Sequence, residues 1–254
     1  MNILVINLKG GAAKTTNSSI VASYLPNSTL IEIDKINQSD KKIKAKDYKS
    51  VQLDFMNQSD EKFIGFEQML LDEGCKIIDV GAVKLEVFHQ SMINADLYNT
   101  IDLIIVPCMD GADDFQVAVN YLGAIQEQID LKKVIFSFNR FNNYEYTTPQ
   151  EQFSSFFSKA KKIKELFGID IEDENNYYVI KDSRAIKNAR EKGVTLKSLI
   201  DTDVEAITLE QRSTDDKAKR LELTKERSLV LNAQNLFNDY LSLMLEKIQN
   251  KIKG

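Results

Sequence analysis

Lys9-Gly10-Gly11-Ala12-Ala13-Lys14-Thr15-Thr16 brings two lysines, a glycine pair and two hydroxyls together within one octapeptide. That set suits phosphate binding. Successive backbone N–H groups around glycine turns form a concave anion seat, and a helix starting there adds the positive end of its dipole. A lysine supplies a point charge to the β/γ-phosphates, and the hydroxyl after it ligates Mg²⁺. The expected ligand is a nucleoside triphosphate with Mg²⁺, held by Gly10, Gly11, Ala12, Ala13, Lys14, Thr15 and Thr16. The general pattern G-x-x-x-x-G-K-[ST] asks for glycine at positions 8 and 13, where this chain has Leu8 and Ala13.

Such a loop works only between a strand and a helix. An apolar run, Ile3-Leu4-Val5-Ile6, precedes it and a helix-like segment, Asn17 to Leu25, follows. Beyond it, apolar β-branched runs predict strands at 2–7, 29–34, 50–55, 76–80, 102–107, 133–138 and 177–180. Helix-length stretches lie between them at 14–25, 61–73, 84–97, 112–129, 150–167 and 184–192. Continuous apolar strands such as Leu103-Ile104-Ile105-Val106 fit a sheet buried on both faces. Strand–helix alternation predicts an α/β fold with a doubly wound, mostly parallel sheet. Residues 35–60 are less regular, and the run Lys41-Lys42-Ile43-Lys44-Ala45-Lys46 reads as a solvated loop. In the last forty residues Leu229, Ala233, Leu236, Phe237, Tyr240, Leu241, Met244, Leu245, Ile248 and Ile252 recur at spacings of three and four, one apolar stripe on a long helix. A terminal helix packed on the domain is the expected reading.

With its second lysine, the loop resembles that of the ParA/MinD family of deviant Walker A ATPases, which reads K-G-G-x-G-K-[ST]-T. Within the octapeptide only Ala13 departs, and Asn7 also matches. The resemblance is closest to the short plasmid- and chromosome-partition ATPases. It implies a P-loop NTPase fold, ATP and Mg²⁺ as ligands, and a face-to-face homodimer formed with ATP. In that dimer Lys9 would reach the partner's phosphates, Lys14 would bind β/γ-phosphates in its own subunit and Thr15 would ligate Mg²⁺. Ile31-Glu32-Ile33-Asp34 resembles the strand ending in Asp-x-Asp, which gives Asp34 the role of positioning the attacking water. A second register puts Asp34 at the first Asp, Ile36 at the second, and Gln38 at the family's Gln; both registers stay open. Lys76-Ile77-Ile78-Asp79-Val80-Gly81-Ala82 resembles the Walker B strand, with Asp79 holding Mg²⁺ through water and Gly81 moving with the γ-phosphate. Asp102-Leu103-Ile104-Ile105-Val106-Pro107 and Ile135-Phe136-Ser137-Phe138-Asn139-Arg140 resemble later core strands, with Asn139 near adenine. Residues 180–193 resemble the segment that closes the base pocket.

The resemblance covers residues 1 to about 200, and residues 201–254 read as a helical extension of a single ATPase domain. Net charge is −5 over 254 residues, unevenly spread. Residues 1–158 carry 14 basic and 21 acidic side chains, whereas 181–197 carry six basic and two acidic ones. Lys181, Arg184, Lys187 and Arg190 in this local basic face are candidates for salt-sensitive, non-specific DNA contact. Family relatives that start at the loop work with a centromere-binding, ParB-like partner, which implies plasmid or chromosome partition by a cytoplasmic, nucleoid-associated protein.

Other classes fit less well. No apolar run reaches the roughly 18 residues of a membrane span, and acidic and amide residues in 232–250 weaken a membrane-targeting helix of the MinD kind. No signal peptide is expected. Cys75 and Cys108 lack metal-ligand spacing and read as buried thiols. His89, the only histidine, makes a histidine-based triad or zinc site improbable and reads as a helix-surface residue. The rival readings are a membrane-recruited positioning ATPase and a degenerate nucleotide-binding scaffold without turnover.

Overall fold

The structure is a computed structural model that describes residues 1–34 and 45–253. Seven strands form one sheet: β1 (Asn2–Val5), β2 (Ser28–Ile33), β3 (Lys49–Leu53), β4 (Cys75–Val80), β5 (Leu103–Cys108), β6 (Val134–Phe141) and β7 (Tyr177–Lys181). Every pairing is parallel, in the order β3-β2-β4-β1-β5-β6-β7. Each strand falls where the apolar runs predict it. The fold is the expected α/β, with a doubly wound sheet.

The strands are apolar throughout because both faces are covered. Along β1 and just past it, Leu4 and Ile6 enter one core cluster while Ile3 and Val5 enter the other, the period of two that a strand imposes. The helices are α1 (Lys14–Tyr24), α2 (Glu61–Leu71), α3 (Leu85–Asn94), α4 (Ala112–Ile125), α5 (Pro149–Gln152), α6 (Ser154–Phe157), α7 (Ala160–Phe167), α8 (Arg184–Lys192), α9 (Leu196–Ile200), α10 (Val204–Ser213), α11 (Lys217–Leu236) and α12 (Ser242–Lys253). α2–α4, α6 and α7 cover one face; α1, α8, α9, α11 and α12 cover the other.

β1 sits between β4 and β5. From β1 the chain leaves through α1 towards β2 on one side, and later returns to β5 on the other. Such a reversal of strand order opens a crevice beyond the strand C-termini, where α/β folds bind ligands. The loop of residues 6–13 lies there.

The single helix expected over 150–167 is three short ones. The breaks fall at Phe153 (φ −93°, ψ 33°) and Lys159 (φ −116°, ψ 17°). Both side chains are drawn onto aromatic rings: Phe153 lies 4.8 Å from Phe138, and the Lys159 ammonium lies 4.2 Å over Phe115. The long terminal helix expected from the stripe is present. α11 passes through a π-type turn, Phe237–Leu241, into α12. Leu229, Ala233, Leu236, Leu241, Met244 and Ile248 are buried in the cluster that holds Ile3 and Val5. Lys247 Nζ donates to the Tyr177 carbonyl at 3.1 Å, which ties this helix to the end of the sheet. No helix among the described residues is long and apolar enough to cross a membrane.

Cys75 and Cys108 are free and buried, and burial pushes the Cys75 thiol up to about 11. His89, on α3, shares a 2.7 Å hydrogen bond with the Tyr98 hydroxyl, a structural role. Ile36 and Gln38 of the second register, and residues 41–44 of the charge run, lie outside the described residues.

Candidate functional site

α1 begins without a capping side chain and without an acid in its first turn. The first N–H groups of a helix have no intrahelical partner, so this terminus is suited to an anion. Its N-cap is Ala13, held in the left-handed region at φ 65°, ψ 24°. Gly11, two residues earlier, is also left-handed at φ 77°. Cβ atoms added at Gly10 or Gly11 would meet nothing within 4 Å; at Gly11 the torsion, not crowding, calls for glycine. Ala12 is buried, while Thr15 is exposed and Thr16 partly so.

Lys14 is only 8% exposed. Its ammonium donates to the carbonyls of Asn7 and Lys9, each at 2.9 Å, and so closes the loop over itself. An ammonium has three donors, which leaves one for a phosphate oxygen. Burial pulls the Lys14 pKa down, and the nearby Asp79 and Asp34 carboxylates oppose that pull. Asn7 braces the loop from below: Nδ2 donates to the Pro107 carbonyl at 2.6 Å, and Oδ1 accepts the Lys9 N–H at 2.8 Å.

Lys9 points elsewhere. Its ammonium pairs with Asp114 on α4 at 2.6 Å; the lysine side chain is 42% exposed and the aspartate 1%. Asp114 also accepts the Met109 N–H at 3.2 Å. The sequence reading did not find Asp114, which lies 105 residues from Lys9; two adjacent acids opening a helix, Asp113 and Asp114, were the only signal. Lys9 is therefore partnered within its own chain, at the rim of the loop.

Asp79, near the end of β4, accepts a hydrogen bond from Thr15, yet burial pushes its carboxyl up to about 7. Thr15 and Asp79 thus present two adjoining oxygens beside the helix terminus. Among the described residues no group of three or more His, Cys, Asp or Glu side chains could hold a metal. Two protein oxygens suit Mg²⁺, which keeps several waters and is completed by substrate phosphates. Asp34 follows the end of β2, and Glu32 stands beside Asp79 in the β2–β4 register. The carboxylates of Glu32 and Asp34 both act on Asp79, so Lys14, Thr15, Asp34 and Asp79 do converge.

Asn139 does not lie open to a base. It is 2% exposed, and its amide is engaged on both sides: Nδ2 donates to the Ser137 and Cys108 carbonyls (2.8 and 3.4 Å), and Oδ1 accepts from Asn17 Nδ2 (2.9 Å). Asn17 in turn donates to the Ala13 carbonyl (2.9 Å) and accepts from Ser137 and Tyr178 hydroxyls (both 2.8 Å). This buried network ties the first turn of α1 to β6 and β7. The reason for the difference from expectation is local. β6 runs on to Phe141 through a bulge at Arg140, which is left-handed at φ 59°, so Asn139 lies inside the strand rather than at its tip. Asn17, Ser137 and Tyr178 were not foreseen; polar residues at inward positions of α1 and β6 were the available sign.

The basic segment divides. Arg184 and Lys187 are exposed on α8, and Lys181 lies with its ammonium 5.3 Å over the Tyr144 ring. Arg190 instead borders a cavity of about 50 Å³ between α1 and α8–α9, beside Thr15, Thr16 and Ser19. Its side chain is nonetheless exposed, as those of Arg184 and Lys187 are.

No family profile matches the chain, and no curated protein does. Solved structures do match along most of its length. A Cyanothece McdA in complex with ATP is 11% identical, with 93% of this chain and 96% of that one aligned at a TM-score of 0.49. A putative plasmid partition protein from Borrelia burgdorferi B31 bound to AMPPNP is 14% identical over 91% and 96%, TM-score 0.49. The MinD cell division protein of Aquifex aeolicus is 13% identical over 93% and 96%, TM-score 0.48. These are ParA/MinD-type P-loop proteins, the family that the sequence resembles. Likenesses of this size carry no argument about chemistry, which rests on the residues above.

Ala13 allows a test of the loop. A left-handed torsion costs an L-residue roughly 1–2 kcal/mol, whereas glycine adds about 0.4–1 kcal/mol of unfolded-chain entropy. The relief is the larger of the two. Ala13→Gly is expected to raise Tm, by about 2–4 °C for each kcal/mol gained. Differential scanning calorimetry of both forms checks this; an unchanged or lower Tm contradicts strain at this position.

Proposed function

We propose that the chain is a ParA-like ATPase. ATP with Mg²⁺ binds in the loop Gly10–Thr16, with Lys14 on the β/γ-phosphates and Thr15 and Asp79 on the metal. Thr15 and Asp79 would hold the metal, which would offset the charge of the phosphates. Asp34 orients the attacking water, and binding of ATP drives a face-to-face homodimer in which Lys9 reaches the partner's phosphates. The dimer binds DNA non-specifically through Arg184, Lys187 and Lys181, and a centromere-binding, ParB-like protein stimulates turnover in plasmid or chromosome partition. The observation that carries this reading is the Lys14 ammonium, buried and clasping the Asn7 and Lys9 carbonyls across an uncapped helix N-terminus. It is supported by Asp79 and Thr15 standing beside it.

The membrane-recruited alternative needs an apolar helix face free for lipid. The α12 stripe is instead packed into the core, with Met244 and Ile248 at 0% exposure, which favours the DNA-bound reading. The scaffold reading, without turnover, is separated by single-turnover hydrolysis.

DNA binding is the most exposed part of the proposal. It is expected to require ATP and to fall steeply with salt, because it rests on phosphate neutralisation. Arg184→Glu with Lys187→Glu is expected to abolish it while ATP affinity stays within about twofold. Arg190 is left intact because it borders the cavity beside Thr15 and Thr16. Fluorescence anisotropy of a labelled duplex, with and without ATP across a salt series, checks this. DNA affinity that ignores salt, or survives the double change, contradicts the assigned face.

A further inference from the structure

Gly81 follows the last residue of β4 with ordinary extended torsions, φ −61° and ψ 141°. Any residue adopts these, so the backbone does not call for glycine. Space does. A Cβ built on Gly81 would lie 2.4 Å from Asp34 Cγ and 2.6 Å from each carboxylate oxygen. Favourable contact between non-bonded carbons begins near 3.5 Å, so the carboxylate would have to move by about 1 Å.

The contact is held from several sides. The Gly81 N–H donates to the Ile33 carbonyl at 2.8 Å, and the Asp34 N–H donates to the Leu53 carbonyl at 3.2 Å. Below Gly81 the Lys84 N–H returns to the Gly81 carbonyl at 3.0 Å. The Lys84 ammonium is buried, paired with Asp54 and bonded to the Phe55 carbonyl at 3.2 Å. The ends of β2, β3 and β4 are thus clasped together, and Gly81 cannot drift away to accommodate a larger side chain.

We propose that Gly81 is a positioning residue for hydrolysis: its bare Cα is the seat on which the Asp34 carboxylate rests, and the lack of a side chain there sets where the carboxylate lies. The inference rests on the proposed role of Asp34 in orienting water. A displacement of about 1 Å in an oriented group can slow a reaction about 10²-fold without weakening binding.

A double-mutant cycle tests it, with single-turnover ATP hydrolysis and ATP dissociation constants measured for the parent, Gly81→Ala, Asp34→Ala and the double variant. Gly81→Ala is expected to slow hydrolysis about 10²-fold with ATP affinity kept within about twofold. On top of Asp34→Ala the same change is expected to do nothing further, because no carboxylate remains to be displaced. Parental turnover in Gly81→Ala beside a slow Asp34→Ala overturns this inference alone, as does full additivity of the two changes or a loss of ATP affinity in Gly81→Ala. Parental turnover in Asp34→Ala removes the hydrolytic role of Asp34 itself, and this inference with it. If Gly81→Ala fails to fold, the double variant decides: a folded double supports the seat and an unfolded one overturns it.

Discussion

Lys14→Ala is expected to abolish ATP binding, with a loss of at least about 10²-fold measured by calorimetric titration with ATP and Mg²⁺. Two effects act together. The phosphates lose the cation of their own subunit, and the loop loses the donor that joins the Asn7 and Lys9 carbonyls. The one hydrogen bond left for a phosphate oxygen contributes about 1.5–3 kcal/mol, roughly 10–10² in affinity, and loss of order in the unclasped loop adds to it. Lys14→Arg is expected to fail as well. Lys14 is 8% exposed and its ammonium bonds two carbonyls, a place where a planar guanidinium is no substitute. Parental affinity in Lys14→Ala contradicts the assignment of the loop.

Lys9→Ala is expected to behave differently, with ATP affinity nearly intact and no ATP-dependent dimer. Size-exclusion chromatography with light scattering, with and without ATP, reads the dimer. In this structure Lys9 is held by Asp114, so reaching a partner's phosphates requires it to leave a carboxylate that is 1% exposed. Truncation alone strips that carboxylate of its cation and is expected to lower Tm. Lys9→Ala with Asp114→Asn restores stability, because the amide oxygen still accepts from Met109, but does not restore the dimer. Equal loss of ATP affinity in the Lys9 and Lys14 variants contradicts the separate roles given to the two lysines.

The fold was legible because its strands are buried on both faces. Leu103 to Val106 and Ile77-Ile78 cannot be read as anything amphipathic, and the glycine turn after β1 fixed where the sheet would open. The loop residues were legible for the same reason: local chemistry is written in consecutive positions. Features that depend on distant partners were not. The pairing of Lys9 with Asp114 joins residues 105 apart. Asn139 faces inward with Ser137 by strand alternation, and it lies inside β6 because the strand runs on past a bulge at Arg140 that no periodicity announces. The broken helix at 149–167 follows from aromatic contacts of Phe153 and Lys159 with β6 and α4, which outweigh an unbroken helical ladder. Arg190 shared the spacing of its basic neighbours, yet the packing of α8 against α1 set it beside the phosphate loop. Gly81 read as a mobile glycine; its role as the seat of Asp34 is visible only once β2 and β4 lie side by side.

The central claim is that this loop binds ATP with Mg²⁺ and that binding joins two copies of the chain. Sedimentation velocity in a non-hydrolysable ATP analogue with Mg²⁺, against the same protein in ADP, tests it most directly. The account predicts a monomer in ADP and a dimer in the analogue. A single monomeric species in both, at saturating nucleotide, would contradict it.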